Sequence, residues 1–443
     1  MNMRTNMIWW LLLLALPLRA GEIRIRGNAS ELKTARVELH YAGSVSEIWN
    51  HRSVRVPVDA EGNFDVSFPL ERPAYYSVGT NLLYLSPGDD LRIVFSRSST
   101  RTHFEGKGSE ANNYLKGWRW NDSRNLGMLA IEAPPVEQVI ERVDSLAGKR
   151  LRELSALANS SRHFRRLERA RIAANRISVY FNCIYRTDYY RWNDTPEIKE
   201  EKKIAYYRTL KEKVEPLLRR IDRDDDFLEC PAVREVLLEC CRSGVFDFRV
   251  SKILAELADA ILASTDLDAG IREADMNKHR ERVSGINTPA FREALEAKLA
   301  ARTRLIEGQP AVDIALRDFH GNLSRLSDHR GKVLFIDFWA TWCLPCLAQA
   351  PHVKALSEKY PRIEFIAISI DREEEKWRGK LERDGEQATI KGYIANVEEA
   401  LDAWDIATIP RFILIDENFK IITAFAPRPS DRTAIESLLE GLH

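Results

Sequence analysis

Apolar residues change their period twice along this chain. From residue 22 to about 105 they alternate with polar ones, as in Ile23 and Ile25 against Arg24 and Arg26, or Val37, Leu39 and Tyr41 on one face. Val54, Val56 and Val58 lead into the turn Glu61-Gly62-Asn63, and Phe64, Val66 and Phe68 lead out of it. Ser86-Pro87-Gly88-Asp89 lies between Leu82–Leu85 and Leu91–Phe95 and reads as a hairpin turn. A period of two places successive side chains on opposite faces of a strand. Short strands separated by Gly/Pro turns therefore predict a small antiparallel β-sandwich or barrel, with a role in binding, orientation or dimerisation.

Between about Ser109 and Glu307 the spacing becomes three and four, as in Leu151, Leu154, Phe164 and Leu167, or Ile253, Leu254, Leu257 and Ile261. That period predicts a central all-α region. Asn193–Pro196 and Asp222–Asp226 read as loops between helices. The stretch Arg162 to Arg171 interleaves both charges, which suits a solvated helix face better than a nucleic-acid site.

From about Gly308 strand and helix alternate. Val333–Phe338 and Ile363–Ile370 read as buried strands, with a helix from Cys343 to Lys359 between them. Helices are predicted over 373–383, 396–404 and 431–442, and antiparallel strands over 412–415 and 421–425. This order gives an α/β sheet with helices on both faces.

The first residues stand apart from this pattern. Arg4 precedes the apolar run Ile8–Leu16, and Pro17 and the small Ala20-Gly21 follow, which is the order of a secretory signal. The run is well short of the ~20 residues a spanning helix needs. The expected division is thus a signal peptide over 1–20, a β-rich domain over 21–108, a helical domain over 109–307 and an α/β domain over 308–443. No later run suits a membrane span, so a soluble periplasmic protein is expected after signal cleavage. Lys plus Arg equals Asp plus Glu, at 66 each of 443 residues, which argues against nucleic acid or an acidic membrane surface as partner.

Export changes the meaning of cysteine, because an unpaired thiol in an oxidising compartment needs its own supply of electrons. Six cysteines are too few for a disulfide-stapled scaffold of this size. Cys183, Cys230, Cys240 and Cys241 fall in the helical region, without the paired CxxC spacing or nearby histidines that zinc would want. They read as inert thiols or one structural disulfide. Cys343 and Cys346 differ, in the stretch Phe338-Trp-Ala-Thr-Trp-Cys-Leu-Pro-Cys-Leu-Ala-Gln-Ala-Pro351.

Cys343 ends a loop and opens a helix, where unpaired N–H groups and the helix dipole favour the thiolate. Pro345 sits in the first turn, where its missing N–H costs nothing. The spacing lets Cys346 close a short disulfide, so Cys343 would attack a substrate disulfide and Cys346 would resolve the mixed disulfide. Asp337, six residues earlier on the buried strand, is the natural proton acceptor, since burial in an apolar strand raises a carboxyl pKa. Pro410 cannot donate to a sheet ladder, so the chain turns sharply at Ile409-Pro410 and suits a cis bond there.

Asp337-Phe-Trp-Ala-Thr-Trp-Cys-Leu-Pro-Cys346, Pro351 and Thr408-Ile409-Pro410 resemble the thioredoxin fold, and within it the TlpA/ResA-like exported thiol-disulfide oxidoreductases. The resemblance implies Cys343 as nucleophile, Cys346 as resolving thiol, and Trp342, Ile409 and the cis-proline Pro410 as the substrate face. The backbone of Ile409 would pair with the substrate as an added strand. Tyr84–Asp89, Gly108–Asn112 and Ala426–Asp431 resemble multidomain proteins of Bacteroidetes that carry a β-rich domain ahead of the redox domain. Two positions depart from the pattern. Gln349 stands where many relatives have glutamate, and Asp337 matches ordinary thioredoxins where the exported branch often has asparagine.

The expected activity is reduction of protein disulfides, fed by a membrane electron-donor protein, with no cofactor or metal. Leu344-Pro345 offers no cation to hold the thiolate as strong oxidants do, which favours a reductase over an oxidase or isomerase. A peroxidase would want threonine three residues before its cysteine, where Ala340 stands. A non-enzymatic scaffold with a retired redox fold is opposed by the intact cysteines and proline.

Overall fold

The computed structural model describes residues 21–32, 36–43, 46–49, 53–117, 135–186, 194–384, 391–406 and 408–442. The leader expected over 1–20 and Asn193 of the expected loop lie outside these residues. The chain divides into two compact units, one ending at Ala258 and the other beginning at Asp259. The helical region is shared between them, 109–258 in the first unit and 259–307 in the second.

Eight strands open the first unit: β1 (Glu22–Asn28), β2 (Arg36–Tyr41), β3 (Val54–Pro57), β4 (Asn63–Pro69), β5 (Ala74–Val78), β6 (Asn81–Leu85), β7 (Asp90–Val94) and β8 (His103–Lys107). They form two four-stranded sheets, ordered β4-β1-β7-β8 and β3-β2-β5-β6. All pairs are antiparallel except β1 with β7. Ile23, Ile25, Leu39, Val56, Leu83, Leu85, Leu91 and Ile93 form one core.

The turn at Ser86–Asp89 is not a hairpin. Its flanking strands, β6 and β7, belong to different sheets, because Leu83 and Leu85 enter the shared core from one side and Leu91 and Ile93 from the other. Asp89 folds back to accept the Ser86 N–H at 2.8 Å. Gly108 packs against that carboxyl, so closely that a Cβ there would lie 2.6 Å from Asp89 Cγ. Asn112 then accepts from Tyr84 N and donates to Tyr84 O, both at 2.9 Å. Two of the segments that stand out in the sequence are thus one interlocked structure.

Helices α1 (Ser46–Trp49), α2 (Ser109–Leu115), α3 (Val136–Ala156), α4 (Arg162–Asn182), α5 (Pro196–Thr209), α6 (Lys211–Ile221) and α7 (Pro231–Ser243) complete this unit, and α8 (Lys252–Asp268) runs across the boundary. Ser161 and Thr195 cap α4 and α5 by accepting N–H groups from Phe164 and Ile198. The Arg162–Arg171 stretch is not wholly a solvated face. Glu168 and Arg171 are buried, paired through two 2.7 Å bonds, and Tyr75 of β5 donates to Glu168 at 2.6 Å. Each buried charge is tolerated because its hydrogen-bonding capacity is met within the pair and by the tyrosine.

The second unit adds α9 (Met276–Ser284) and α10 (Pro289–Thr303) before its sheet begins. The sheet's elements are β9 (Ala315–Asp318), β10 (Leu323–Arg325), β11 (Leu334–Trp339), α11 (Leu344–Lys359), β12 (Glu364–Ser369), α12 (Glu374–Asp384), β13 (Lys391–Ala395), α13 (Val397–Ala403), β14 (Arg411–Ile415), β15 (Ile421–Thr423) and α14 (Arg432–Glu440). Seven strands lie in the order β10-β9-β13-β12-β11-β14-β15. β11 runs parallel to β12 and antiparallel to β14. Phe335, Phe412 and Leu414 pack under Val353 and Leu356 of α11 and Ile435 and Leu439 of α14. Leu334, Ile336, Phe338 and Ile413 pack with Ala400 and Trp404 on the other face.

Candidate active site

The site grows from the carboxyl end of β11. Its first five residues are all buried, and the chain leaves the sheet at Trp339 and opens α11 at Leu344. Cys343 is the N-cap of α11: its Sγ accepts the Cys346 N–H at 3.2 Å, and its own N–H donates to Ala340 O at 3.0 Å. A thiolate formed at this sulfur would keep the same N–H and gain the helix dipole. Pro345 occupies the first turn, where no donor is needed.

Cys343 and Cys346 are joined as a disulfide, with Cα atoms 5.2 Å apart. Both are nearly buried, at 4% and 2% exposed. The flanking side chains are not: Trp342 is 65% and Leu344 76% exposed. Cys343 Sγ lies 3.8 Å from the carbonyl oxygen of Ile409, and the Ile409–Pro410 peptide bond is cis. Trp342, Ile406, Thr408 and Ile409 line a cavity of about 630 Å³ beside the cysteines. Exposed apolar side chains rimming a concave surface mark a place where another molecule docks.

Asp337 sits on β11 with Phe335, on the face that α11 covers. It is buried, and its Oδ1 has no hydrogen-bond partner among the described residues. Burial pushes its carboxyl up to about 7. A group that exchanges its proton near neutrality is suited to general acid–base work. Gln349 is also buried, and its Oε1 accepts the Ser430 N–H at 3.0 Å, which ties the Ala426–Asp431 segment to α11.

The loop ahead of Cys343 is held by Asp371, a residue that neither periodicity nor motif singles out. Asp371 is buried and accepts from Thr341 N, Thr341 Oγ1 and Ser369 Oγ. The available signal is a polar Ser-Ile-Asp ending an otherwise apolar strand. The other cysteines lie elsewhere, and among the described residues Cys183, Cys230, Cys240 and Cys241 form no disulfide. Burial pushes the Cys230 thiol up to about 12, and raises Cys240 and Cys241 as well, which disfavours thiolate chemistry there. Among the described residues no group of three or more His, Cys, Asp or Glu could hold a metal ion.

Over its second unit the chain is similar to known proteins. Residues 307–424 match the AhpC/TSA family model. The thiol-disulfide oxidoreductase ResA of Geobacillus thermodenitrificans is 31% identical over 142 residues, which cover 31% of this chain and 80% of the relative. ResA of Bacillus subtilis is 26% identical over 128 residues, covering 28% of this chain and 70% of the relative. A solved Bacteroides vulgatus structure described as a thiol-disulfide oxidoreductase is 40% identical, covers 32% of this chain and 99% of its own, and superposes with a TM-score of 0.30. Through its second unit the chain belongs to the TlpA/ResA-like thiol-disulfide oxidoreductases of the thioredoxin fold, and it is an enzyme of that class.

Proposed function

We propose that this enzyme is exported to the periplasm and reduces protein disulfides through a dithiol–disulfide cycle at Cys343 and Cys346. The observation that carries the reading is the Cys343–Cys346 bond at the start of α11, with Cys343 Sγ 3.8 Å from Ile409 O beside an apolar cavity.

In the reduced enzyme the Cys343 thiolate attacks one sulfur of the substrate disulfide. That bond breaks, the other substrate sulfur leaves as a thiolate and takes a proton, and a mixed disulfide forms. Cys346 gives its proton to Asp337 and attacks Cys343 Sγ, which releases the second substrate thiol and leaves the enzyme disulfide. Two electrons pass to the substrate, and a membrane dithiol protein returns them. The Ile409 carbonyl and the cis-proline loop pair with the extended substrate chain while Trp342 covers it. The Ile8–Leu16 run behind Arg4 supports export. The uncharged Leu344-Pro345 spacer supports the reducing direction.

The test is the equilibrium midpoint of the mature protein in glutathione and dithiothreitol buffers, read by thiol alkylation with Cys343→Ser as control. A value near the ~−270 mV of thioredoxin supports the reductase, and one approaching ~−120 mV reverses the direction to oxidation. If the two cysteines do not titrate as a pair, the cycle is wrong.

A further inference from the structure

Two guanidinium groups lie over the ring of Phe425. Arg411, the residue after Pro410, places its Cζ 4.2 Å from the ring centroid, and Arg302 of α10 places its own at 4.7 Å. Arg302 is 1% exposed. Its Nη2 donates to Asp268 Oδ1 at 2.7 Å, its Nη1 donates to Asp405 O at 3.0 Å, and its Nε lies 3.0 Å from Asp405 Oδ2.

Asp405 is an unusual residue to grip. Its φ is 45°, in the left-handed region that few residues other than glycine enter. It follows α13, and the Ile406 N–H closes the helix end by donating to Leu401 O at 2.9 Å. Arg302 donates to the carbonyl of Asp405 and pairs by charge alone with its carboxylate, so it fixes the direction in which the chain leaves α13. The next described residues are Ile406, Thr408 and Ile409, all walls of the cavity beside the disulfide.

A buried arginine is a costly way to fill space. The second cation adds to that cost, since burial and the Arg302 charge hold the Arg411 guanidinium down to about 10. Replacing a buried ion pair by apolar residues is often neutral or stabilising. What a planar, multiply bonded guanidinium supplies instead is a fixed geometry.

We propose that Arg302 is a positioning residue for protein substrates, holding Asp405 at the end of α13 so that the Ile409 backbone is set to receive a substrate strand beside Cys343. The inference rests on the function proposed above, and it makes α10 part of the redox apparatus. A protein disulfide, which must pair along Ile409, should depend on Arg302, whereas a small disulfide that needs only the Cys343 sulfur should not.

The experiment uses the pre-reduced full chain and its Arg302→Met and Asp405→Asn variants. Asparagine keeps the volume and tolerates a positive φ, so Asp405→Asn carries the test if Arg302→Met does not fold. Single-turnover oxidation is followed with insulin and with dithionitrobenzoate, alongside the midpoint potential. The expected result is a ~10-fold loss in the second-order rate constant for insulin, a change under ~2-fold for dithionitrobenzoate and an unmoved midpoint. Folded variants that reduce insulin at the wild-type rate, or that slow equally toward insulin and dithionitrobenzoate, overturn the positioning role. Wild-type protein that reacts with neither disulfide overturns the underlying cycle instead.

Discussion

Thr341 gives both of its donors to one carboxylate: its N–H lies 2.9 Å from Asp371 Oδ2 and its hydroxyl 2.8 Å from Oδ1. The clasp ties the loop before Trp342 and Cys343 to the end of β12. Ser369 Oγ adds a third bond at 2.7 Å. Asp371 stays acceptable in a buried place because it meets three donors at once.

Removing that carboxylate strands all three donors. We expect Asp371→Ala to lose roughly 2–4 kcal/mol, the range for buried polar groups left unpaired by loss of a charged partner. Urea unfolding at neutral pH measures it. A loss below about 0.5 kcal/mol, the size of an ordinary surface change, would mean that water replaces the clasp.

Asp337 makes stability and rate depend on pH in opposite senses. Its folded pKa, about 7, is above the ordinary aspartate value of 3.8, so between these values the native state holds more protons than the unfolded one. Stability therefore falls as pH rises from about 4 to 7. Asp337→Asn should flatten that slope and stabilise the protein by a few kcal/mol, on the order of the shift, above pH 7. Resolution of the mixed disulfide should rise with pH through the same range in the wild type and fall about 100-fold in Asp337→Asn. A variant that resolves at the wild-type rate would remove Asp337 from proton transfer, whatever its effect on stability.

The two cysteines should separate cleanly when replaced one at a time. Cys346→Ser leaves the attacking thiol without its resolver, so covalent adducts with client proteins should accumulate and dissolve in dithiothreitol. Cys343→Ser should give none, since the N-cap position that favours a thiolate and the place beside Ile409 O belong to Cys343. Non-reducing gels of cells carrying each variant decide the matter. Equal adducts from both would mean that the roles are shared or reversed.

The sequence reveals what depends on local chemistry and hides what depends on packing at a distance. β11 and α11 are legible because a wholly apolar strand runs into a helix marked by Cys343 and Pro345. β9, β10 and β13 are not legible in this way. Leu323-Ser-Arg325 is three residues with an exposed leucine, and Lys391–Ala395 holds a glycine and little apolar pattern. Such strands exist because a neighbouring edge offers hydrogen bonds, which periodicity does not record. The Ser86–Asp89 turn was legible as a turn, but which sheet each flank joins is a tertiary choice. Arg302 and Asp405 lie 103 residues apart, and nothing local announces their meeting.

Gln349 offers a last test of where the protons go. It is 6% exposed, and its Oε1 accepts the Ser430 N–H at 3.0 Å. In Gln349→Glu a carboxyl would take that place with a single N–H donor, too little to offset the loss of water around a charge. Its folded pKa should therefore rise above the unfolded value. The variant should match wild type near pH 3, where the group is protonated in both states, and lose roughly 1–3 kcal/mol by pH 8. Urea midpoints across that range measure the loss. Stability that keeps pace with wild type at pH 8 would show the carboxylate to be solvated. Introduced into Asp337→Asn, the same substitution distinguishes two accounts of catalysis: a partly restored resolution rate means a proton acceptor beside α11 suffices, whereas no recovery means the β11 position itself is required.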